Sequence, residues 1–526
     1  MATVALTAGP LPPKPTEPVP PMPHADLFSL MLPVLLTLAA GCATLVAEPF
    51  LHKSDAKHAW LPWVGAIILM LAGIVLAFAP TGELNGLYAL DDARRWLLAA
   101  ILGATVISLG GLQQTLSRDR FPGGEAYALA CFGAAGAMLM VMASNFLGLF
   151  VALEVMSLAI YALVGLRRHD KASNEALLKY FIMGAVFSAV LVYGMALIYG
   201  ATGSIAYGAP ALAGREHLWM LGHGLVIVAL LFKVGVVPFH FWSPDAYAGA
   251  PAAVTGYMGA VVKVGGFAAL GALWLNMVAA VSGTHPGGVL ALDAAITVSS
   301  DGARFLRVFT TLFMLLALMS ILIGNFSALR QTSTRRMIAF SSVAQAGYML
   351  MALVLPLSRV DEVVSLGALW LYLVGYAIAT AGALAVIAAM AGREDRGDDL
   401  AGLSGQGRVQ PFLGLCLTVF IAGFAGLPPV AGFFGKFLIF ADLVNKGQIL
   451  IAVIALVLAV VAAGYYLKLI ISVWSGKTTE AAEPGDQVLV RWALAAGAIA
   501  TLLVAVRPDA LSRPSTPDVP HATAQR

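Results

Sequence analysis

Apolar runs of about twenty residues recur along the whole chain, with short polar segments between them. Runs of this length can cross a bilayer as α-helices, which satisfy their own backbone hydrogen bonds away from water. The pattern therefore predicts an all-α polytopic membrane protein with about fourteen transmembrane helices. The predicted spans are 27–47, 61–80, 95–114, 125–142, 144–166, 175–200, 218–241, 251–280, 304–326, 336–356, 365–391, 410–442, 449–475 and 488–507.

Proline and glycine interrupt two of these apolar regions. The first, residues 230–267, contains Pro238, and the second, residues 410–442, contains Pro428-Pro429 and is too long for one straight span. Interrupted spans in corresponding positions of two halves are typical of transporters built from inverted repeats, with the site near the membrane midplane. We therefore predict two inverted repeats and two broken helices.

Composition narrows the class of protein further. The chain is 60% hydrophobic and 11% charged, whereas a soluble protein carries roughly a quarter charged residues. A net charge of +3 is too small to indicate a nucleic-acid partner. The three cysteines form no metal or iron–sulfur motif, and neither a dinucleotide fingerprint nor a Walker loop is present. The sequence thus predicts no cofactor and no metal on this chain.

Charge in the predicted loops gives an orientation. The odd-numbered loops carry about twice as many Lys and Arg residues as the even-numbered loops. Because cytoplasmic loops are enriched in Lys and Arg, we expect the odd-numbered loops in the cytoplasm and both termini on the opposite side. The two sides are called the odd-loop face and the even-loop face below.

Lysine and arginine are distributed differently within the predicted spans. Arginines occupy loops, tails and span ends, whereas five lysines lie inside spans: Lys179, Lys233, Lys263, Lys436 and Lys468. A desolvated lysine can lose its proton near neutral pH, but arginine stays charged. A row of such lysines is therefore a candidate proton path.

Other residues extend this candidate path. Glu154 is the one carboxylate deep in a span, and it is either a titratable partner of a lysine or a counter-ion that holds helices together. His240, beside the first break, is either a proton shuttle or a hinge residue with satisfied hydrogen bonds. Lys179 and Lys468 lie nearer the span ends, where a long side chain can instead snorkel to the surface.

Four stretches of sequence resemble the antiporter-like subunits of respiratory complex I, over roughly residues 85–475. The form of the second stretch is similar to the subunit N branch, the counterpart of mitochondrial chain 2. The stretches are FKVGVVPFHFWSPDAYAGAP (232–251), EALLKYFIMGA (175–185), RRMIAFSSVAQAGYML (335–350) and GLPPVAGFFGKFLIF (426–440).

The resemblance implies a proton-pumping membrane subunit of NADH:quinone oxidoreductase in a bacterial inner membrane. It implies that Glu154, Lys233, Lys263 and Lys436 form a hydrophilic axis, with Lys179, His240 and Lys468 secondary. NADH, FMN, iron–sulfur clusters and quinone are expected in partner subunits, and other membrane subunits and lipid are the expected contacts. Together with the composition of the two ends, the resemblance divides the chain into a Pro-rich disordered tail (1–26), N-terminal transmembrane helices (27–114), two antiporter-like repeats (125–280 and 304–475), and a last helix with a polar tail (488–526).

The chain also departs from the family pattern. Gln345 stands where a histidine is usual, Thr380 where an asparagine is usual, and Lys468 where an arginine is common. Because glutamine does not titrate, a relay through a histidine at position 345 is in doubt. The same motifs leave three alternatives: an Mrp-type cation/proton antiporter subunit, a membrane-bound hydrogenase subunit, or a spacer whose buried charges only hold helices together.

Overall fold

The computed structural model describes residues 24–51, 57–119, 121, 123–283, 296–297, 300–354, 363–476 and 488–506. Most of the predicted Pro-rich tail and the polar residues after 506 lie outside these ranges. The α-helices within them are α1 Leu27–Leu51, α2 Lys57–Phe78, α3 Asp92–Asp119, α4 Gly124–Met142, α5 Phe146–Val164, α6 Lys171–Thr202, α7 Glu216–Val234, α8 Ser243–Gly249, α9 Ala252–Tyr257, α10 Lys263–Ser282, α11 Ser300–Leu329, α12 Thr334–Met351, α13 Gly367–Met390, α14 Gln406–Val409, α15 Pro411–Ala425, α16 Ala431–Asn445, α17 Ile449–Trp474 and α18 Val488–Val506.

The helices agree with the predicted membrane protein. Eleven of the described helices are long and apolar enough to cross a membrane, and two shorter apolar helices lie at Pro411–Ala425 and Val488–Val504. A π-helical turn, Met258–Val262, joins α9 to α10, so that Ala252–Ser282 forms one of the eleven. Each predicted span overlaps a helix, but the total of fourteen membrane crossings stays a prediction.

Both predicted breaks are present, and they share a local structure. Helix α7 ends at Gly235 with φ 74°, and α15 ends at Gly426 with φ 77°. Glycine adopts this left-handed conformation without the steric cost that a Cβ atom imposes, so it is the usual residue at a helix C-terminus. A cis X–Pro bond follows in each break, at Val237–Pro238 and at Pro428–Pro429.

Helix α13 occupies the centre of the molecule. Every residue in the apolar, membrane-length stretch of α13 is buried. The buried share of the corresponding stretch is 89% in Ala252–Ser282, 33% in α17 and 22% in α6. Helix α13 packs against α3, α9, α15 and α16. Small residues allow this close approach: Gly111 of α3 lies against Ala253 of α9 and Ala385 of α13. The core is therefore formed by α3, α9–α10 and α13, while α6 and α17 lie at the periphery.

The described strands lie on the even-loop face. Strands β1 Gly82–Leu84 and β2 Tyr88–Leu90 form an antiparallel hairpin between α2 and α3. Strands β3 Ile296–Thr297 and β4 Val363–Val364 pair antiparallel and connect the segments that precede α11 and α13. These pairs satisfy backbone groups of connections that leave the helical layer.

Candidate functional site

Lys233 lies in the last turn of α7, and only 3% of the residue is exposed. Its Nζ donates a 2.6 Å hydrogen bond to Oγ of Ser157 on α5. The same nitrogen lies 5.5 Å from the ring centre of Tyr161 and 5.4 Å from that of Tyr180. A hydroxyl and two aromatic faces can hold an ammonium group, but none of them fixes its charge as a carboxylate does.

Glu154 lies one turn before Ser157 on α5 and is half-buried. Its Oε1 accepts a 2.5 Å hydrogen bond from Oγ of Ser188 on α6. In the described part of the chain no ion pair within 4.0 Å joins Glu154 to Lys233, so the expected direct pair is not formed in this structure.

A small cavity lies between Lys233 and Lys263. Its volume is about 10 Å³, which is close to the space that one water molecule requires. Polar side chains line it together with the two lysines: Trp242, Ser243, Tyr247 and Ser342. A water at this point can join the two amines.

Lys263 is the first residue of α10, directly after the π-helical turn, and is 4% exposed. Its Nζ donates a hydrogen bond to the backbone oxygen of Ser342 on α12 and lies 5.6 Å from the ring centre of Tyr376. The Tyr376 hydroxyl donates a 2.9 Å hydrogen bond to Oγ of Ser342. Because π-helical turns recur at functional sites, the position of this turn beside a buried amine is notable.

Helix α12 continues the polar line. Gln345 lies one turn after Ser341 and donates from Nε2 to the Tyr466 hydroxyl at 2.8 Å and to the Phe424 carbonyl at 2.9 Å. Its Oε1 accepts a hydrogen bond from the Tyr372 hydroxyl, and Ser341 shares a hydrogen bond with Tyr466. The glutamine that replaces the usual histidine is thus a hydrogen-bonded bridge at the centre of the site.

Lys436 lies on α16, after the second break, and is 5% exposed. Its Nζ donates a 2.6 Å hydrogen bond to the Phe424 carbonyl, which also accepts from Gln345. Phe424 is in the last turn of α15, where carbonyls have no partner within the helix. The break therefore supplies an acceptor for the lysine, and Tyr348 covers the amine with its ring centre 5.0 Å away.

The secondary residues lie outside this line. Lys179 is exposed at the odd-loop face and forms ion pairs of 2.7 Å with Glu175 and 2.8 Å with Asp245. His240 is half-buried in the first break, and its Nδ1 has no hydrogen-bond partner among the described residues. Lys468 faces outward from α17 and is exposed.

A buried charged cluster at the odd-loop face escaped the sequence analysis. Arg167 binds Asp119 and Asp395 at 2.9 Å each, and Arg335 binds Asp398. Burial alone lowers the pKa of Arg167, but Asp395 and Asp119 outweigh it, so the pKa is raised. The sequence places these charges in or beside loops, where most are solvated, and only tertiary packing identifies the buried ones.

Potential metal-ligating side chains and three cysteines are present among the described residues. No group of three or more His, Cys, Asp or Glu side chains lies close enough there to hold a metal ion. Cys42, Cys131 and Cys416 are all free, and Cys131 and Cys416 are buried.

Known protein sequences are similar to this chain over most of its length. A family model described as NADH:quinone oxidoreductase/Mrp antiporter, TM, matches the chain twice, over residues 143–299 and 288–462. The chain is 34% identical to NADH-quinone oxidoreductase subunit N 2 of Acidobacterium capsulatum, over 94% of this chain and 99% of that protein. It is 32% identical to NADH-quinone oxidoreductase subunit N of Mycobacterium tuberculosis, over 93% of this chain and 97% of that protein.

Solved structures agree with these relatives. A chain of respiratory complex I from Thermus thermophilus, solved with bound aureothin, is 32% identical with a TM-score of 0.70, covering 90% of this chain and 97% of that chain. A chain of the Mrp complex from Dietzia sp. is 20% identical with a TM-score of 0.69, covering 92% of this chain and 98% of that chain. The second likeness, at this identity, shows the fold alone.

Proposed function

The chain belongs to the NADH:quinone oxidoreductase/Mrp antiporter family, in its subunit N branch, and we propose that Glu154, Lys233, Lys263 and Lys436 carry protons through it. It is a proton-translocating membrane subunit of an NADH-quinone oxidoreductase, and it works within a multi-subunit membrane complex. The Mrp-type alternative is less favoured, because the Mrp chain shares only 20% identity.

One observation supports the proposed path above all others: each of the three buried amines is hydrogen-bonded to a polar group on a different helix, and a small cavity lies between the first two. Ser157 binds Lys233, and the Ser342 carbonyl binds Lys263. The Phe424 carbonyl then binds both Gln345 and Lys436. These contacts hold the amines in place, and we assign the transfer steps between them to intervening water, since transfer needs donor and acceptor within hydrogen-bond reach or one water apart.

The partners of the three lysines explain why these amines can change charge. Each amine binds a hydroxyl or a carbonyl rather than a carboxylate. Burial in a low dielectric disfavours an ammonium group, and at Lys233 the charge of Glu154 acts against that effect. In the proposed cycle, movement of Glu154 from Ser188 toward Ser157 stabilises the ammonium form of Lys233, and its return drives the proton toward Lys263.

Uptake is assigned to the odd-loop face at the first break. Asp245 lies in the first turn of α8 and binds Lys179 at the surface. Ser243, two residues earlier, lines the cavity between Lys233 and Lys263. Asp245 and Ser243 lie in the same turn of α8, so a proton captured by Asp245 enters beside the cavity that the two lysines line. His240 lies beside the same break.

The remaining assignments concern the neighbouring subunits, the location of the chain and the side of its termini. Glu154 is half-buried on α5, beside Val151 and Leu158, which are 45% and 58% exposed. A carboxylate at membrane depth is costly against lipid, so we assign this face, with the exposed helix α6, to a neighbouring membrane subunit. Electron transfer from NADH to quinone is assigned to other partner subunits, the location to the bacterial inner membrane, and both termini to the periplasm.

Substitution of Lys233 tests the proposed path. In the purified complex in proteoliposomes, Lys233→Ala should lower the ratio of protons pumped to electrons transferred, because the first amine of the line is lost. Lys171→Ala, at an exposed lysine beginning α6, is the matched control and should leave the ratio unchanged. An unchanged ratio for Lys233→Ala in an assembled complex would contradict the role of this residue.

A further inference from the structure

A buried lysine also lies at the even-loop face, where the sequence predicts only a loop residue. Lys446 follows the last residue of α16, and its side chain is 2% exposed. Its Nζ is 2.6 Å from Oδ2 of Asp442 and donates a 2.9 Å hydrogen bond to the Val354 carbonyl. The Asp442 side chain is 35% exposed, so the pair joins an enclosed amine to a carboxylate that reaches the surface.

The cation of the Lys446–Asp442 pair is a lysine, which can release its proton. Of the lysines whose side chains the structure describes, only Lys179 and Lys446 form ion pairs with carboxylates. One pair lies at the odd-loop face and the other at the even-loop face. The buried pair between Arg94 and Asp91, also at the even-loop face, uses a guanidinium, which does not give up its proton at accessible pH.

Helix α16 connects the pair to the proposed proton path. Lys436 lies on α16 and Lys446 directly follows its last residue, and this separation of ten residues corresponds to about 15 Å at 1.5 Å per residue. Ile439 and Leu443 lie between them, and neither is exposed to solvent. This apolar layer closes the route in the present structure, as a path that holds a proton gradient requires, and water must enter it before a proton can pass.

We propose that Lys446 and Asp442 form the proton-release pair of the second broken helix. The inference rests on the proposed function, because it needs protons to arrive from Lys436. In the release step the Lys446 ammonium passes a proton to Oδ2 of Asp442, which leaves a neutral amine and a carboxylic acid. The acid loses that proton to water at the even-loop face, and the amine takes up the next proton from Lys436 through water.

A purely structural role makes a different prediction. Lys446 binds the Val354 carbonyl just beyond the end of α12, and a cation at a helix C-terminus stabilises that end. Lys446→Arg retains the positive charge and donors for both contacts, but the guanidinium cannot discharge. The structural role therefore predicts normal pumping for this variant, and the release role predicts loss of pumping.

The experiment uses the whole complex in proteoliposomes, with NADH oxidation and proton translocation measured together. Lys446→Arg and Asp442→Asn should each lower the rate of proton release at least about tenfold, because a positioned acid–base group typically contributes a hundredfold or more. Lys171→Arg and Glu125→Gln make the same chemical changes at exposed residues and should leave the rate unchanged.

The outcomes separate the two proposals. A normal release rate for Lys446→Arg overturns the release pair. If that variant does not assemble, Asp442→Asn decides, since the amide retains the size of the carboxylate and an oxygen for Lys446, and normal release then overturns the proposal. Impaired Lys436→Ala with normal Lys446→Arg overturns the release pair alone, whereas normal Lys436→Ala overturns the proposed function.

Discussion

The two broken helices have the same backbone conformation at their breaks, but different groups bind the carbonyls exposed there. Each ends at a glycine with positive φ, Gly235 or Gly426. In the first break, the indole N–H of Trp242 donates a 3.0 Å hydrogen bond to the Phe232 carbonyl. In the second, the Phe424 carbonyl accepts a hydrogen bond from Lys436. The first break therefore closes on a neutral indole that does not titrate, and the second on a lysine amine that can titrate.

Lys233 and Lys436 also differ in their position relative to the breaks and in the group that each one binds. Lys233 precedes its break and turns to a hydroxyl on a separate helix, whereas Lys436 follows its break and binds the carbonyl that the break exposes. The first amine is tied to α5, the helix that also carries Glu154. The second is tied to the break itself, next to the helix that leads to the proposed release pair.

The largest expected effect is that of removing the second amine. Lys436→Ala should abolish most coupled pumping, at least about tenfold, because no other described amine binds the Phe424 carbonyl. The ratio of protons to electrons in proteoliposomes measures it. Phe437→Ala, at the exposed next residue on α16, is the control, and equal ratios for both variants would remove the contrast between the breaks.

A smaller effect is expected at the bridge on α12. Gln345→Leu removes the hydrogen bonds to Tyr372, Tyr466 and the Phe424 carbonyl, so transfer should slow several-fold while Lys233 and Lys436 remain in place. Gln345→His should recover part of the rate because imidazole both donates and accepts. Pre-steady-state proton release measures both variants, and a normal rate for Gln345→Leu would exclude the bridge from the path.

The shared backbone of the breaks gives a test of stability. Gly235→Ala and Gly426→Ala should each destabilise the folded chain by about 1 kcal/mol or more, because alanine is strained at positive φ. The midpoint of thermal unfolding of the complex measures this change. Gly103→Ala, where an added Cβ meets nothing within 4 Å, is the control and should be tolerated.

The smallest effect is expected at α17. Lys468→Gln should leave pumping unchanged within error, because this side chain is exposed and lies outside the hydrogen-bonded line. The same proteoliposome assay measures it. A large loss would show that the path extends to α17.

The sequence predicted both breaks and the burial of Lys233, Lys263 and Lys436, because proline, glycine and charge stand out in apolar runs. Lys179 and Lys468, also predicted inside spans, are exposed. It could not predict that Glu154 binds Ser188 rather than a lysine, since that choice depends on how α5 packs against α6. It treated Gln345 as an interruption because a sequence does not show hydrogen-bond partners. It placed Lys446 in a loop, and only the approach of Val354 and Asp442 encloses it.

The carbonyl of Phe424 has two lone pairs, and in this structure Lys436 and Gln345 use both. Any change in the charge of the amine must alter the polarisation of that one bond. A carbon-13, oxygen-18 label at this position would make its infrared stretch a local reporter of the lysine. The second broken helix thereby contains a spectroscopic reporter within the proposed proton path.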